Sequence, residues 1–132
     1  GGHPVATAVS LKNIEIVQRE NLAANAAKME TYIKGRLNEF ADHPYVGEIR
    51  GKGLLLGIEL VSDKEKKTPL EMAKANAIIQ NCLKQGVSIM RNGNTVPGLG
   101  NVLIMAPPLI LQENEADQIV DAIGNALKQV LN

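Results

Sequence analysis

Arg91 closes a short aliphatic run, Val87 to Met90, and opens a loop that carries Asn92, Gly93, Asn94, Pro97, Gly98 and Gly100. A guanidinium in that place can offer a carboxylate two parallel N–H donors, a geometry that lysine cannot copy. Solvation on the loop is its ordinary alternative. Arg50, at the edge of an expected hairpin, has the same two readings, the ordinary one being a structural ion pair with an acid. Gly51-Lys52-Gly53 with Gly57 superficially suggests a phosphate cradle, but such a loop needs a strand before it and a helix after it, and here a second strand follows. His3 and His43 are far apart and lack neighbouring cysteines or paired acids, so both read as helix-end residues and not as metal ligands. Cys82 falls on a helical apolar stripe, and no Ser, His and acid stand at nucleophile-elbow spacing. The lysines lie on polar helix faces or in the charged 62–67 turn. The residues by themselves thus offer no catalytic group, no cofactor site and no metal site. Arg91 is the one candidate substrate-binding residue.

The elements that must position Arg91 are read from periodicity and breakers. Pro4 suits a first helical turn, and a helix is expected from Pro4 to about Arg19. Val5, Ala8, Leu11 and Ile14 form one stripe and Val9, Ile16 and Val17 part of another, a width that predicts burial between two bodies. Leu22, Ala26, Met29, Ile33, Leu37 and Phe40 mark a second helix, with Asn21 as its expected cap and Asp42-His43-Pro44 as its end. Val46–Arg50 and Leu54–Val61 are expected strands around a Gly51-Lys52-Gly53 reversal. The second strand is nearly all aliphatic, which predicts cover on both faces with Glu59 as its one outward position. Thr68-Pro69-Leu70-Glu71 has the form of a capping box opening a third helix that runs to Gln85, stops at Gly86, and turns Met72, Ala75, Ile79, Cys82 and Leu83 to the sheet. Val87–Met90 and Asn101–Ala106 read as strands, the latter stopped by Pro107-Pro108. Glu113–Leu131 is the final helix, with Ile119, Val120, Ile123, Leu127 and Val130 inward. The expected fold class is α+β, in the order helix-helix-strand-strand-helix-strand-strand-helix, with a small, mainly antiparallel sheet and the helices on one side.

Composition narrows the partners. At 132 residues the chain fits one domain, and such a chain buries roughly two-thirds of its unfolded surface. Fourteen basic against fourteen acidic residues, one Phe, two Tyr and no Trp leave nucleic acid neither a basic stripe nor a stacking platform. No apolar run reaches the roughly 20 residues of a membrane span, and the N-terminus lacks signal-peptide character. The single cysteine fits a reducing compartment, so the cytoplasm is the expected location. The opening Gly-Gly-His-Pro without Met suggests a chain that is processed, cloned as a fragment, or cut from something longer.

Three segments carry a resemblance to a known family: Gly2-His3-Pro4-Val5-Ala6, Arg50-Gly51-Lys52-Gly53-Leu54-Leu55-Leu56-Gly57-Ile58-Glu59-Leu60, and Asn101-Val102-Leu103-Ile104-Met105-Ala106-Pro107-Pro108-Leu109. In this order and spacing the chain resembles the C-terminal small domain of class III (omega-type) pyridoxal-phosphate-dependent aminotransferases, over nearly its whole length. The resemblance implies a missing N-terminal large domain that carries the cofactor, a homodimer sharing its active sites, and small-molecule amine and keto-acid substrates. It also implies that the Schiff-base lysine and the groups for the pyridinium nitrogen and phosphate lie before residue 1, so that this chain alone is inactive. Residues 1–20 become the connector from the large domain and 21–132 the sheet-and-helix body. Relatives acting on ornithine or 4-aminobutyrate have an arginine where this chain has Ile104, whereas Arg91 matches the mobile arginine of amine- or omega-amino-acid-to-pyruvate aminotransferases. An aminomutase, a dialkylglycine-type decarboxylase, or a free-standing α+β interaction or ligand-sensing module remain the alternatives.

Overall fold

The computed structural model describes residues 2–93 and 96–131; Asn94 of the glycine-rich loop lies outside the described residues, as do Gly1, Thr95 and Asn132. The elements in chain order are α1 (Pro4–Arg19), α2 (Leu22–Leu37) continued by a 3₁₀ turn (Asn38–Phe40), β1 (Val46–Lys52), β2 (Leu55–Asp63), β3 (Thr68–Pro69), α3 (Met72–Lys84), β4 (Met90–Arg91), β5 (Val102–Met105) and α4 (Glu113–Leu131). The sheet runs β1-β2-β5-β4 with β3 paired to β2, and every pairing is antiparallel. This is the α+β layout read from the sequence, with one short strand added.

One face of the sheet is covered. Leu56, Ile58 and Leu60 of β2 and Leu103 and Met105 of β5 join Met29, Ile33 and Leu37 of α2, Ala75, Ile78 and Cys82 of α3, and Val120, Ile123 and Leu127 of α4 in a single core. Helix α4 packs against both α2 and α3. It is seated by Gly124, where an added Cβ would stand 2.8 Å from the Phe40 ring. Arg36 ties α2 to α4 by pairing with Asp117 and, at 3.0 Å, with Asp121, and the Tyr32 hydroxyl donates to Asp117 at 2.9 Å. Full burial of Met29, Ile33 and Leu37 contributes about 1.5–3 kcal/mol each, so packing and not propensity holds α2. Asn101 is buried and its amide donates to the Leu60 carbonyl at 2.6 Å, which answers the cost of removing that group from water.

Several local expectations are corrected. The second face of strand β2 is covered at one end only: Leu55 is 63% exposed and points away from the helices, whereas Val61, at the far end of that face, is buried. The reversal falls at Gly53-Leu54, since Lys52 already pairs with Leu55 and Gly51 with Leu56 inside the ladder. Asn21 does not cap α2 with its side chain; it takes a left-handed conformation (φ 50°, ψ 42°) that breaks α1 from α2. Thr68-Pro69 pairs with β2 instead of opening α3, whose first residue is Met72 and whose preceding Glu71 makes no side-chain cap. On α3 Ile78 is buried and Leu83 is 53% exposed, a rotation of the stripe set by where α4 lies. Of the expected 87–90 run only Met90 pairs as strand, and it does so together with Arg91 beyond its end. In α1 no residue is buried, and only Ile16 and Val17 are partly covered, so among the described residues its apolar surface has no second body against it.

The hairpin tip is clamped to α2. Glu30 accepts from the Gly53 N–H at 2.6 Å and from Lys34 at 3.0 Å, Lys52 approaches it at 3.3 Å, and Lys34 also donates to the Gly51 carbonyl at 2.7 Å. The Gly53 hydrogen bond first, then Lys34, hold the Glu30 carboxyl down to about 2 against the opposing effect of burial. A folded value below the ordinary 4.5 means that the clamp stabilises fully above about pH 4.5 and is lost as pH falls toward about 2. Glu30→Gln is expected to flatten the acid limb of stability over that window, measured by urea unfolding at successive pH values.

Candidate functional site

Arg91 is placed by three elements. It ends β4 opposite Leu103 of β5, so its side chain starts on the helix-covered side of the sheet, where α3 stands beside it. Its Nε donates to Asn76 Oδ1 of α3 at 2.8 Å, and its Nη1 to the Asn92 carbonyl at 2.9 Å. Asn92 in turn closes the base of the following loop: its N–H donates to the Val102 carbonyl at 3.0 Å, its Oδ1 accepts from the Val102 N–H at 2.9 Å, and its Nδ2 donates to the Leu99 carbonyl. Asn92 thus extends the β4–β5 pairing by side-chain mimicry of a backbone partner. Nothing in the sequence pattern marks Asn76, a polar residue on a helix face 15 positions away. Asn92 was visible only as a turn residue.

Arg50 settles on its ordinary reading. Its Nη1 bridges Glu59 at 2.6 Å and Glu48 at 2.8 Å on the uncovered face of the sheet, and Glu59, followed by its coulombic partner Glu48, holds the guanidinium proton more firmly against burial. Glu59 therefore does point away from the core, as expected, to a partner in the same hairpin. Ile104 lies on this uncovered face, in a cross-strand row with Met90 on one side and Gly57 and Arg50 on the other. An open hollow of about 440 Å³ there is lined by Arg50, Gly51, Lys52, Leu55, Leu56, Gly57 and Ile104. Arg91 and Ile104 thus occupy opposite sides of the sheet.

The other groups singled out by type are placed as follows. Cys82 is buried under α4, 3.6 Å from the Ala122 carbonyl, and burial pushes its thiol up to about 11, so it stays protonated and unreactive at neutral pH. The His3 carbonyl accepts from the Thr7 N–H at the start of α1. His43 packs its ring near Tyr45 and is shifted down by burial and then by Lys64. Among the described residues no three His, Cys, Asp or Glu gather as a metal site, and no helix is long and apolar enough to cross a membrane.

Every lysine is exposed except Lys34, and Lys34 is committed to Glu30 and the Gly51 carbonyl. Lys64 and Lys67 line a hollow of about 510 Å³ together with Glu48 and Glu59. Arg91 stands between α3 on one side and the loop base on the other, and donates to both.

The family profile described as Aminotransferase class-III matches residues 1–127. Among curated proteins, the chain is similar to an uncharacterised aminotransferase, YhxA, of Bacillus subtilis, with 40% identity over 98% of this chain and 29% of the relative. It is also similar to the taurine–pyruvate aminotransferase of Rhodobacter capsulatus, with 38% identity over 98% and 28%. Among solved structures, an aminotransferase of Bacillus anthracis superposes with a TM-score of 0.94 at 41% identity, covering 98% of this chain and 29% of that one. A thermostable omega transaminase of Pseudomonas jessenii gives a TM-score of 0.86 at 36% identity, over 98% and 28%. The chain therefore spans less than a third of the length of the relatives it matches.

Proposed function

Because this chain belongs to the class III aminotransferase family, we propose that it is the C-terminal small domain of a cytoplasmic, homodimeric, pyridoxal-phosphate-dependent transaminase. The whole enzyme moves an amino group from an amine or omega-amino acid to a keto acid such as pyruvate. The observation that carries this reading is a match along 98% of this chain that accounts for only 29% of the relative, which leaves a larger body to hold the cofactor. Relatives named as taurine–pyruvate and putrescine–pyruvate aminotransferases support the choice of acceptor. The free-standing module is not favoured, since residues 1–127 match an enzyme family throughout.

In this reading the chemistry belongs to the cofactor on the missing large domain, and the present chain supplies binding and closure. The uncovered apolar surface of α1 is the connector's contact with that domain. Arg91 receives the carboxylate of the keto acid, its aim set by β4, α3 and the loop base. The hairpin clamp at Glu30 keeps β1 and β2 rigid beneath the uncovered face.

The test of this division of labour is direct. Pyridoxal phosphate titrated into the 132-residue chain is expected to give no stoichiometric borohydride-reducible absorbance band, whereas the full-length protein gives one and transfers an amino group to pyruvate. A reducible band on the chain alone overturns the assignment of the cofactor to a missing domain.

A further inference from the structure

We propose that Asn76 is a resident competitor for the substrate carboxylate: its side-chain oxygen occupies the Arg91 Nε–H that a carboxylate would take, and so sets how readily Arg91 accepts one. The inference rests on the reading of Arg91 as the carboxylate contact. Asn76 lies on the exposed side of α3, directly after buried Ala75 and two residues before buried Ile78, so a firmly seated helix presents it. Its Oδ1 stands 2.8 Å from Arg91 Nε. A carboxylate seated side-on takes the Nε–H and the adjacent terminal N–H together, so it cannot bind in that fork without displacing Asn76. Meanwhile the Nη1 bond to the Asn92 carbonyl, and the fastening of Asn92 to Val102, hold the guanidinium where the exchange takes place.

The physical asymmetry favours substrate over the resident. An anionic carboxylate makes stronger hydrogen bonds to a guanidinium than a neutral amide oxygen does, so the amide yields when substrate arrives, and yet its bond has to be broken. Asn76 acts here as a positioning residue: it touches Arg91 and not the reacting atoms. Its position on an exposed helix surface makes it replaceable without opening the core.

Two substitutions at this one position have opposite expected signs. In the full-length enzyme, Asn76→Ala removes the competitor and is expected to lower the KM for pyruvate, and the Kd of the unreactive carboxylate propionate measured by calorimetry, by about three- to tenfold. Asn76→Asp installs a charged competitor and is expected to raise both by about tenfold or more. The ratio of pyruvate KM to the KM of an uncharged primary amine follows the same order. A residue that merely ties α3 to β4 would move both variants in one direction or lower kcat for every substrate, and either result overturns the proposal. Arg91→Ala measured in parallel separates the two layers of the argument. If it leaves propionate binding untouched, the carboxylate reading of Arg91 has failed and the role of Asn76 goes with it. If it weakens propionate binding while the two Asn76 variants fail to separate in opposite directions, the role of Asn76 alone is refuted.

Discussion

Arg91→Ala in the full-length enzyme is expected to raise the KM for pyruvate by about 30- to 100-fold while changing the KM of an uncharged primary amine far less. The size follows from the loss of a charge-assisted, two-point contact, worth about 2–3 kcal/mol, at about 1.4 kcal/mol for each factor of ten. The selectivity follows from chemistry: a keto acid brings a carboxylate to the guanidinium and the amine brings none. Arg91→Lys is expected to recover only part of the loss, because an ammonium keeps the charge and gives up the planar fork. Steady-state kinetics on both half-reactions decide the matter. Equal losses on keto acid and amine would place Arg91 among residues that shape the loop, where its bonds to Asn76 and Asn92 already give it a structural part.

Gly51→Ala is expected to destabilise the domain by more than about 2 kcal/mol, whereas Gly53→Ala, two residues along the same hairpin, costs about 1–2 kcal/mol. At Gly51 the backbone has φ +153° inside the β1–β2 ladder, and an added Cβ would stand 2.3 Å from the Leu55 carbonyl oxygen and 2.7 Å from Leu56 Cα. Those atoms are backbone, so the strands themselves must part. At Gly53 the φ of +57° is a left-handed turn conformation, but the nearest atom to an added Cβ is Ala26 Cβ at 3.9 Å, which leaves conformational strain as the only cost. Urea unfolding of the two variants against the parent chain measures the difference. Because the Gly51 carbonyl accepts from Lys34, a displaced strand also loosens the clamp on α2. Comparable destabilisation at the two glycines would show that the ladder can shift to admit a methyl group.

The helices were legible because their signals are local. Pro4 at a first turn, the 3–4 spacing of Met29, Ile33 and Leu37, Gly86 after the last turn of α3, and acids early with Lys128 late in α4 each act within one or two turns, and the boundaries of α1 and α4 agree with them. The hairpin and the strand before Pro107-Pro108 were legible for the same reason. The class of the fold followed from their order.

What the sequence could not decide is whatever depends on a neighbour distant in the chain. An aliphatic run such as Leu54–Val61 reads alike whether one face or two are covered, and only the arrangement of α2, α3 and α4 leaves Leu55 bare and Ile58 enclosed. The turn moved to Gly53-Leu54 because register is settled by cross-strand pairs, and Thr68-Pro69 became strand because β2 offered it an edge. Ile78 displaced Leu83 from the core because α4 chose which side of α3 to meet. Arg91 stood out by type and by its place beside a glycine-rich loop, yet its partner Asn76 lies on another element, and a hydrogen bond across that separation leaves no periodic trace. Residue chemistry and local backbone preference thus named the elements and the candidate group, whereas the facing of surfaces and the aim of the guanidinium are properties of packing, which arise only when the elements meet.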